Sequence, residues 1–547
     1  MSRLGGHVVA DQLVAQGVDT VFGVPGESFL TVLDGLWERR DRIRFVTARH
    51  EATASHMAEA WGKLTGRPGV CLATRGPGAT HASVGVHTAF QDSTPMLLLL
   101  GQVARPHLGR EAFQEVDVEA MFAPLAKWAH QIGSADEIPA AMTRAFEVAL
   151  GDRPGPVVLA LPEDMQRDPT DAPDGPRVAP ALREPDSADL DRLHAWLAAA
   201  ERPLIVVGGP RWDQATADAL AAWAEAAAVP VAVQFRRQDR IDNASPAYVG
   251  DLGLGCNPAL ERRLLEADAL VLLGGRFGDI PSGGYTRLPA DGAPGQRLVH
   301  VHAEPAELGR VWTADLAVCA AAPLVVAGLV ERGAPDGTAR RAWADALRAD
   351  YAAWSEPAPR DLDGVDLGQV VGHLREALPA DAVVANGAGN YTVWVHRYHR
   401  HRRYGTQLAP TSGAMGYGIP AAIAAALHDR RRTVVAFAGD GCFQMAGHEL
   451  ATAVQEGLRL VVIVADNGML GTIRMHQERS YPGHVEGTGL ANPDFVALAE
   501  AHDCHGERVV RDADFPDALA RSLEAGRPAV IHLVTDPRAI TPGALLG

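Results

Sequence analysis

Residues 433–468 read TVVAFAGDGCFQMAGHELATAVQEGLRLVVIVADNG. Thr433 to Ala438 and Leu460 to Ala465 are short apolar runs with the character of buried strands, and HELATAVQEG between them reads as helix. Strand, helix, strand in this order is a βαβ unit, so the two strands run parallel. Asp440 and Asn467 then stand at the ends of consecutive strands, on the sheet edge where open α/β folds bind their ligands.

The same alternation extends outward in both directions. Near the start, Thr20 to Val24, Ile43 to Thr47, Gly69 to Thr74 and Pro95 to Gly101 read as buried strands separated by amphipathic segments. In the middle the strand candidates are Pro203 to Val207, Val229 to Val233, Ala269 to Leu273 and Leu298 to His302. After Asp361 they are Ala382 to Ala385, the two runs quoted above, and Ala529 to Val534. A Pro- and Asp-rich stretch from Arg167, RDPTDAPDGPRVAPALREPDSAD, lacks periodicity and is expected to be an exposed linker, and a polar break follows at Glu331 to Thr338. The expected fold class is α/β: three doubly wound parallel-sheet domains in series, at 1–166, 187–332 and 361–547.

Composition narrows the function. A chain of 547 residues, 47% hydrophobic, can bury several cores. Its net charge of −17 weighs against non-specific attraction to nucleic acid or anionic membrane. A basic run, HRYHRHRRY at His396 to Tyr404, is the local exception and reads first as a solvated face. No apolar run approaches the length of a membrane span and no signal-peptide core is evident, which points to the cytoplasm. The five cysteines are scattered, without a CxxC pair, and suggest neither a disulfide framework nor a zinc site.

Chemistry at the GDG turn follows from its residue types. Mg²⁺ takes hard oxygen donors and keeps phosphate oxygens in its shell, so the Asp440 carboxylate, the Asn467 amide and a backbone carbonyl form a half-shell. Gly439 and Gly441 allow close backbone approach to a diphosphate, whose charge the next helix N-terminus favours. Alone, GDG is equally a tight turn. GDG with an asparagine 27 residues after its aspartate, in this strand, helix, strand setting, resembles the signature of thiamine-diphosphate enzymes. The resemblance implies Asp440, Asn467 and the Met469 carbonyl as Mg²⁺ ligands, with Gly439, Gly441, Cys442 and Gly471 lining the cofactor site. In QLAPTSGAMGYG it implies Met415 as a wedge under the bent cofactor, although a lone Met is usually core, and the Gly413 carbonyl as acceptor for the cofactor's amine.

In RHEATASHMAEAWGKLTG, Glu51 ends a strand and opens a helix, a position where a carboxylate ordinarily serves the helix dipole. The resemblance makes Glu51 the carboxylate that shares a proton with the cofactor's pyrimidine. GPGATH at Gly76 to His81 fails as a dinucleotide fingerprint, because a third glycine and an acidic ribose partner are missing. It is similar instead to a wall of the thiamine pocket.

Within this family the chain most resembles acetolactate synthase catalytic subunits, through VFGVPGESF, GPGAT, GREAFQEVD, GPVVLALPEDM, GGRFGD and the motifs above. Such enzymes decarboxylate a 2-oxo acid such as pyruvate and join the remaining fragment to a second carbonyl. Phe113, Gln114 and Lys127 would line the substrate entrance, with Gln114 orienting a carbonyl or hydroxyl. The alternative for these residues is a plain surface role. Departures bear on substrate: His476 replaces a tryptophan nine residues after Asn467, and Glu27 and Ser28 replace a glycine pair. His476 could donate a proton, which keeps open a non-ligating decarboxylase or C–C lyase. The intact Glu51, Asp440 and Asn467 argue against a catalytically silent binding subunit. Ala123, GDLGLGCNPAL, Arg276 to Asp279 and His302 to Glu307 depart from the FAD-binding pattern and weigh against FAD. The resemblance further implies a homodimer or homotetramer whose sites lie between subunits, and says nothing of a regulatory subunit.

Overall fold

The computed structural model describes residues 2–546. Three six-stranded, all-parallel sheets follow one another along the chain. The first contains Thr20–Gly23, Arg44–Thr47, Gly69–Ala73, Met96–Gln102, Trp128–Gln131 and Pro156–Pro162, in the spatial order second, first, third, fourth, sixth, fifth. The third sheet repeats that order with Val383–Asn386, Gln407–Leu408, Val434–Gly439, Val461–Asp466, His505–Val509 and Ala529–Val534. The central sheet differs. Its strands Pro203–Val207, Val231–Gln234, Tyr248–Leu252, Ala269–Leu273, Arg297–Val301 and Leu316–Val318 lie in the order third, second, first, fourth, fifth, sixth, the doubly wound nucleotide-fold arrangement.

The strands form where β-branched and aliphatic residues run without polar interruption, as in Val434–Gly439 and Val461–Asp466, because helices cover both sheet faces. The first and third units share one continuous core. Its contact is made by the helices Glu51–Thr65 and Gly418–His428, the latter almost wholly buried and rich in alanine, so the two axes can approach closely. The central unit carries its own core on each face of its sheet.

One expected boundary moves. The central unit extends past 332 to Trp354: on the helix Arg341–Trp354, Trp343 and Leu347 enter its core and the Trp343 indole donates to the Pro203 carbonyl at 2.9 Å. Apolar residues at helical spacing outweigh the polar break before them. The stretch after Arg167 is irregular but not loose. Gln12 and Gln16 on the first helix hold it through Asp174, Gly175, Pro176 and Val178. The basic run is also no solvated face: His396, His399 and His401 are buried, and Arg402 pairs with Asp242 at 2.7 Å. Among the described residues no helix is long and apolar enough to cross a membrane.

Candidate active site

In the third sheet the first and third strands are neighbours, and the loops leaving their carboxyl ends diverge to open a crevice. A cavity of about 270 Å³ occupies it. The helices Tyr391–Tyr398, Asp440–Gln444 and Gly471–Ser480 all begin on its wall, and their unpaired amides favour an anion. Gly413, Met415, Gly439, Asp440, Gly441, Cys442, Asn467, Met469 and Gly471 all line this one cavity.

Asp440 is 3% exposed and has no cationic side chain within ion-pair distance among the described residues. Its Oδ1 accepts from the Gly441 amide at 2.9 Å and its Oδ2 from Asn492 Nδ2 at 2.8 Å. The same Asn492 nitrogen donates to Asp466 Oδ1 at 2.7 Å, so two carboxylates share one neutral amide. Burial pushes the Asp440 carboxyl up to about 6, against the pull of Asn492 and Gly441. A buried carboxylate short of positive charge, beside the Asn467 amide and the Met469 backbone, fits a hard divalent cation. Asn467 Oδ1 here accepts from the Met469 amide at 3.2 Å.

The cavity's other wall is held by the same elements. Cys442 Sγ accepts from the Gly416 amide at 3.0 Å and from the Tyr391 hydroxyl at 3.4 Å, tying the Met415 loop to the GDG turn. A Cβ on Gly441 would lie 3.8 Å from the Met415 methyl, which places that methyl over the turn. Upstream, Thr411 donates its amide to Asp92 Oδ1 at 3.1 Å, which anchors the entry to Gly413. Sequence reasoning missed Asn492, Arg360 and Asn390. Asn390 follows a recognised strand within the glycine-rich NGAGN, a detectable signal. Arg360 reaches the cavity only through tertiary contacts with Asp366, Thr541 and Pro542.

Glu51 and Gln114 are not part of this cavity within one chain. Glu51 opens the helix Glu51–Thr65, with Oε2 3.0 Å from His81 Nδ1. Gln114 has φ of 65° and a buried carboxamide oxygen without a partner, and its carbonyl accepts from the Gly76 amide at 2.8 Å. Phe113 beside it is 77% exposed. Lys127 does not face a substrate entrance: its ammonium donates to the Val148 and Arg153 carbonyls at 2.6 and 2.7 Å, which closes a helix end. His476 is exposed on the helix Gly471–Ser480 and does not line the cavity. Glu27 is exposed and 3.5 Å from Arg75, whereas Ser28 is buried against Thr74.

A second crevice, of about 310 Å³, lies at the reversal point of the central sheet, where the resemblance would seat FAD. The Gln234 carboxamide lies against both Gly208 and Gly275 there, within 2.6 Å of where a Cβ on either would stand. Arg276 is turned to the Gln91 carbonyl at 2.7 Å.

A carboxylate and an amide at adjacent strand ends, helix N-termini around one cavity, and three sheets in this order define an α/β class that binds a diphosphate at its strand ends. The chain belongs to the thiamine pyrophosphate enzyme family. The family's N-terminal TPP binding domain matches residues 3–121, its central domain 190–329 and its C-terminal TPP binding domain 387–533. The chain is 31% identical to the acetolactate synthase isozyme 2 large subunit of Escherichia coli (strain K12), over 97% of this chain and 95% of that one. It is 30% identical to the acetolactate synthase large subunit of Corynebacterium glutamicum, over 97% and 86%, and 32% identical to the acetolactate synthase of Mycobacterium bovis, over 97% and 88%. It is a thiamine-diphosphate-dependent enzyme similar along its length to acetolactate synthases.

Proposed function

We propose that this enzyme uses thiamine diphosphate and Mg²⁺ to decarboxylate a 2-oxo acid, pyruvate or a close relative, and to join the remaining acyl carbon to a second carbonyl. The observation that carries the reading is the single cavity in which Asp440, Asn467, Met469, Gly413 and Met415 meet. Asp440, Asn467 and the Met469 carbonyl would hold the metal; Gly439, Gly441, Cys442 and Gly471 would border the diphosphate. Bound there, the cofactor supplies an electron sink that lets a bond beside a carbonyl break and re-form.

The chain's own groups divide the remaining work. Glu51 holds a proton in common with the pyrimidine ring, and Gly413 and Met415 fix that ring against the GDG turn. Each site forms between two copies in a homodimer or homotetramer, with Glu51 of one copy facing the cavity of the other. On the Glu51 side, the free carboxamide of Gln114 orients the acceptor carbonyl. His476 meets substrate only in such an assembly. FAD has no part in this reading, because Ala123, GDLGLGCNPAL, Arg276 to Asp279 and His302 to Glu307 depart from the FAD-binding pattern.

The test supplies the purified protein with thiamine diphosphate, Mg²⁺ and a panel of 2-oxo acids, with products identified by mass spectrometry. Condensed 2-hydroxy ketones are expected. Aldehyde and CO₂ alone would replace ligation by simple decarboxylation, and no turnover of any 2-oxo acid would overturn the proposal.

A further inference from the structure

Glu51 is not a solitary carboxylate. Its helix, Glu51–Thr65, and the helix Gly76–Asp92 come into near contact where Gly85 faces Ser55; a Cβ on Gly85 would stand 2.3 Å from Ser55 Oγ. One turn earlier on each helix lie Glu51 and His81, so the close approach fixes their meeting, with Nδ1 to Oε2 at 3.0 Å. His81 is held on its other side by the His50 ring, centroids 4.4 Å apart and planes tilted by 31°. His50 is itself fixed as the helix N-cap, its Nδ1 accepting from the Ala52 amide at 3.1 Å. Glu51 Oε1 lies beside Gly78, where a Cβ would sit 3.5 Å from it, so Gly78 presents no side chain to that oxygen.

We propose that His81 is a positioning residue for Glu51: its Nδ1–H holds Oε2 and leaves Oε1 aimed outward for the cofactor's pyrimidine nitrogen. The inference rests on the reading of Glu51 given under Proposed function. A carboxylate that can spin about its last bond presents no fixed lone pair. One oxygen tied by a donor directs the other, and a fixed lone pair is what proton sharing requires. The titratable and charged groups around the pair are Cys71, whose buried thiol feels the Glu51 charge, His50, His448, whose ring is 6.0 Å from that of His50, Glu449, which is 3.6 Å from His448, and Arg49, whose amide donates to Glu449.

The test compares His81→Phe, which keeps a stacked ring but no donor, with His81→Asn, whose amide nitrogen stands where Nδ1 stood. Three quantities are read: thiamine diphosphate affinity by tryptophan fluorescence, hydrogen–deuterium exchange at C2 of the bound cofactor without any 2-oxo acid, and kcat with KM. Expected for His81→Phe are affinity and KM within about threefold of wild type, with exchange and kcat lowered about tenfold or more. His81→Asn should restore exchange and kcat to within about threefold. If Glu51→Gln abolishes exchange while His81→Phe leaves it unchanged, the His81 role is overturned and that of Glu51 stands. If Glu51→Gln itself leaves exchange unchanged, the reading of Glu51 fails first. Weakened cofactor binding in both His81 variants would mean a structural role only, and would also overturn the proposal.

Discussion

Asp440 and Asp466 share the amide of Asn492, and this fixes what single substitutions should do. Asp440→Asn removes a buried charge that nothing in the free protein neutralises, so the fold should survive, with thermal stability equal to wild type or higher. Mg²⁺-dependent binding of thiamine diphosphate should be lost in isothermal titration; retained binding would reject Asp440 as a metal ligand. Glu51→Gln should keep both fold and cofactor and lower turnover about a hundredfold or more. A steady-state assay near wild type would remove Glu51 from the chemistry.

At the scale of elements, the entry to the cofactor loop hangs on an ionic knot between the three units. Asp92, at the end of the helix Gly76–Asp92, is fully buried and paired with Lys63 at 2.9 Å and with Arg237 of the central unit at 3.0 Å. Burial alone would raise its carboxyl, but Lys63 and Arg237 outweigh it and hold it well below the usual carboxylate range. Lys63 also meets Glu59, which accepts from the Tyr417 hydroxyl of the third unit. Asp92→Ala leaves Arg237 without a carboxylate and Lys63 with Glu59 alone, and should cost about 3–5 kcal/mol, read as a lower urea midpoint; an unchanged midpoint would mean that water solvates the freed charge. Beyond the i, i+4 pair Glu59 and Lys63 this knot is not legible in the sequence, because Asp92, Arg237 and Tyr417 lie far apart along the chain. The buried central strands are legible, since both faces are covered and the runs are apolar throughout. Edge strands such as Trp128–Gln131 and His505–Val509 are half-buried and mixed in composition, and escape that criterion. Pro156–Pro162 is a fully buried strand that was also missed, because prolines at both ends imitate a break. The cofactor loops are legible for the opposite reason: each follows such a strand directly, so glycine, aspartate and asparagine there fall on the binding edge.

For the molecule as a whole, the separation of Glu51 from the cavity at Asp440 within one chain makes a testable demand. Mixing the Glu51→Gln and Asp440→Asn proteins with subunit exchange should regenerate about a quarter of wild-type activity, since half the dimers then contain one intact site of two. Sites built within a single chain would regenerate none. Acid should also unsettle the fold. Burial lowers His56 and His302 to about 4 and His401 to about 3, and holds His396 and His399 well below their ordinary value. The unfolded chain therefore takes up protons near pH 6.5 that the folded one refuses, and stability is lost as pH falls from there toward 4. Asp251, raised to about 7 by burial, acts in the opposite direction over the same window with Asp440, Glu59 and Asp512, but burial also lowers His300, His428 and His448, and eight imidazoles outnumber four carboxyls. A denaturation midpoint at pH 5.5 equal to or above that at pH 7.5 would refute this. The core shared by the first and third units has a further consequence, for the chain's birth on the ribosome. The face of the helix Glu51–Thr65 that comes to rest on the helix Gly418–His428 must wait for a partner made about 350 residues later, roughly 20–70 s at ordinary synthesis rates. Throughout that interval the nascent chain displays an apolar surface without its native cover, the kind of surface chaperones bind.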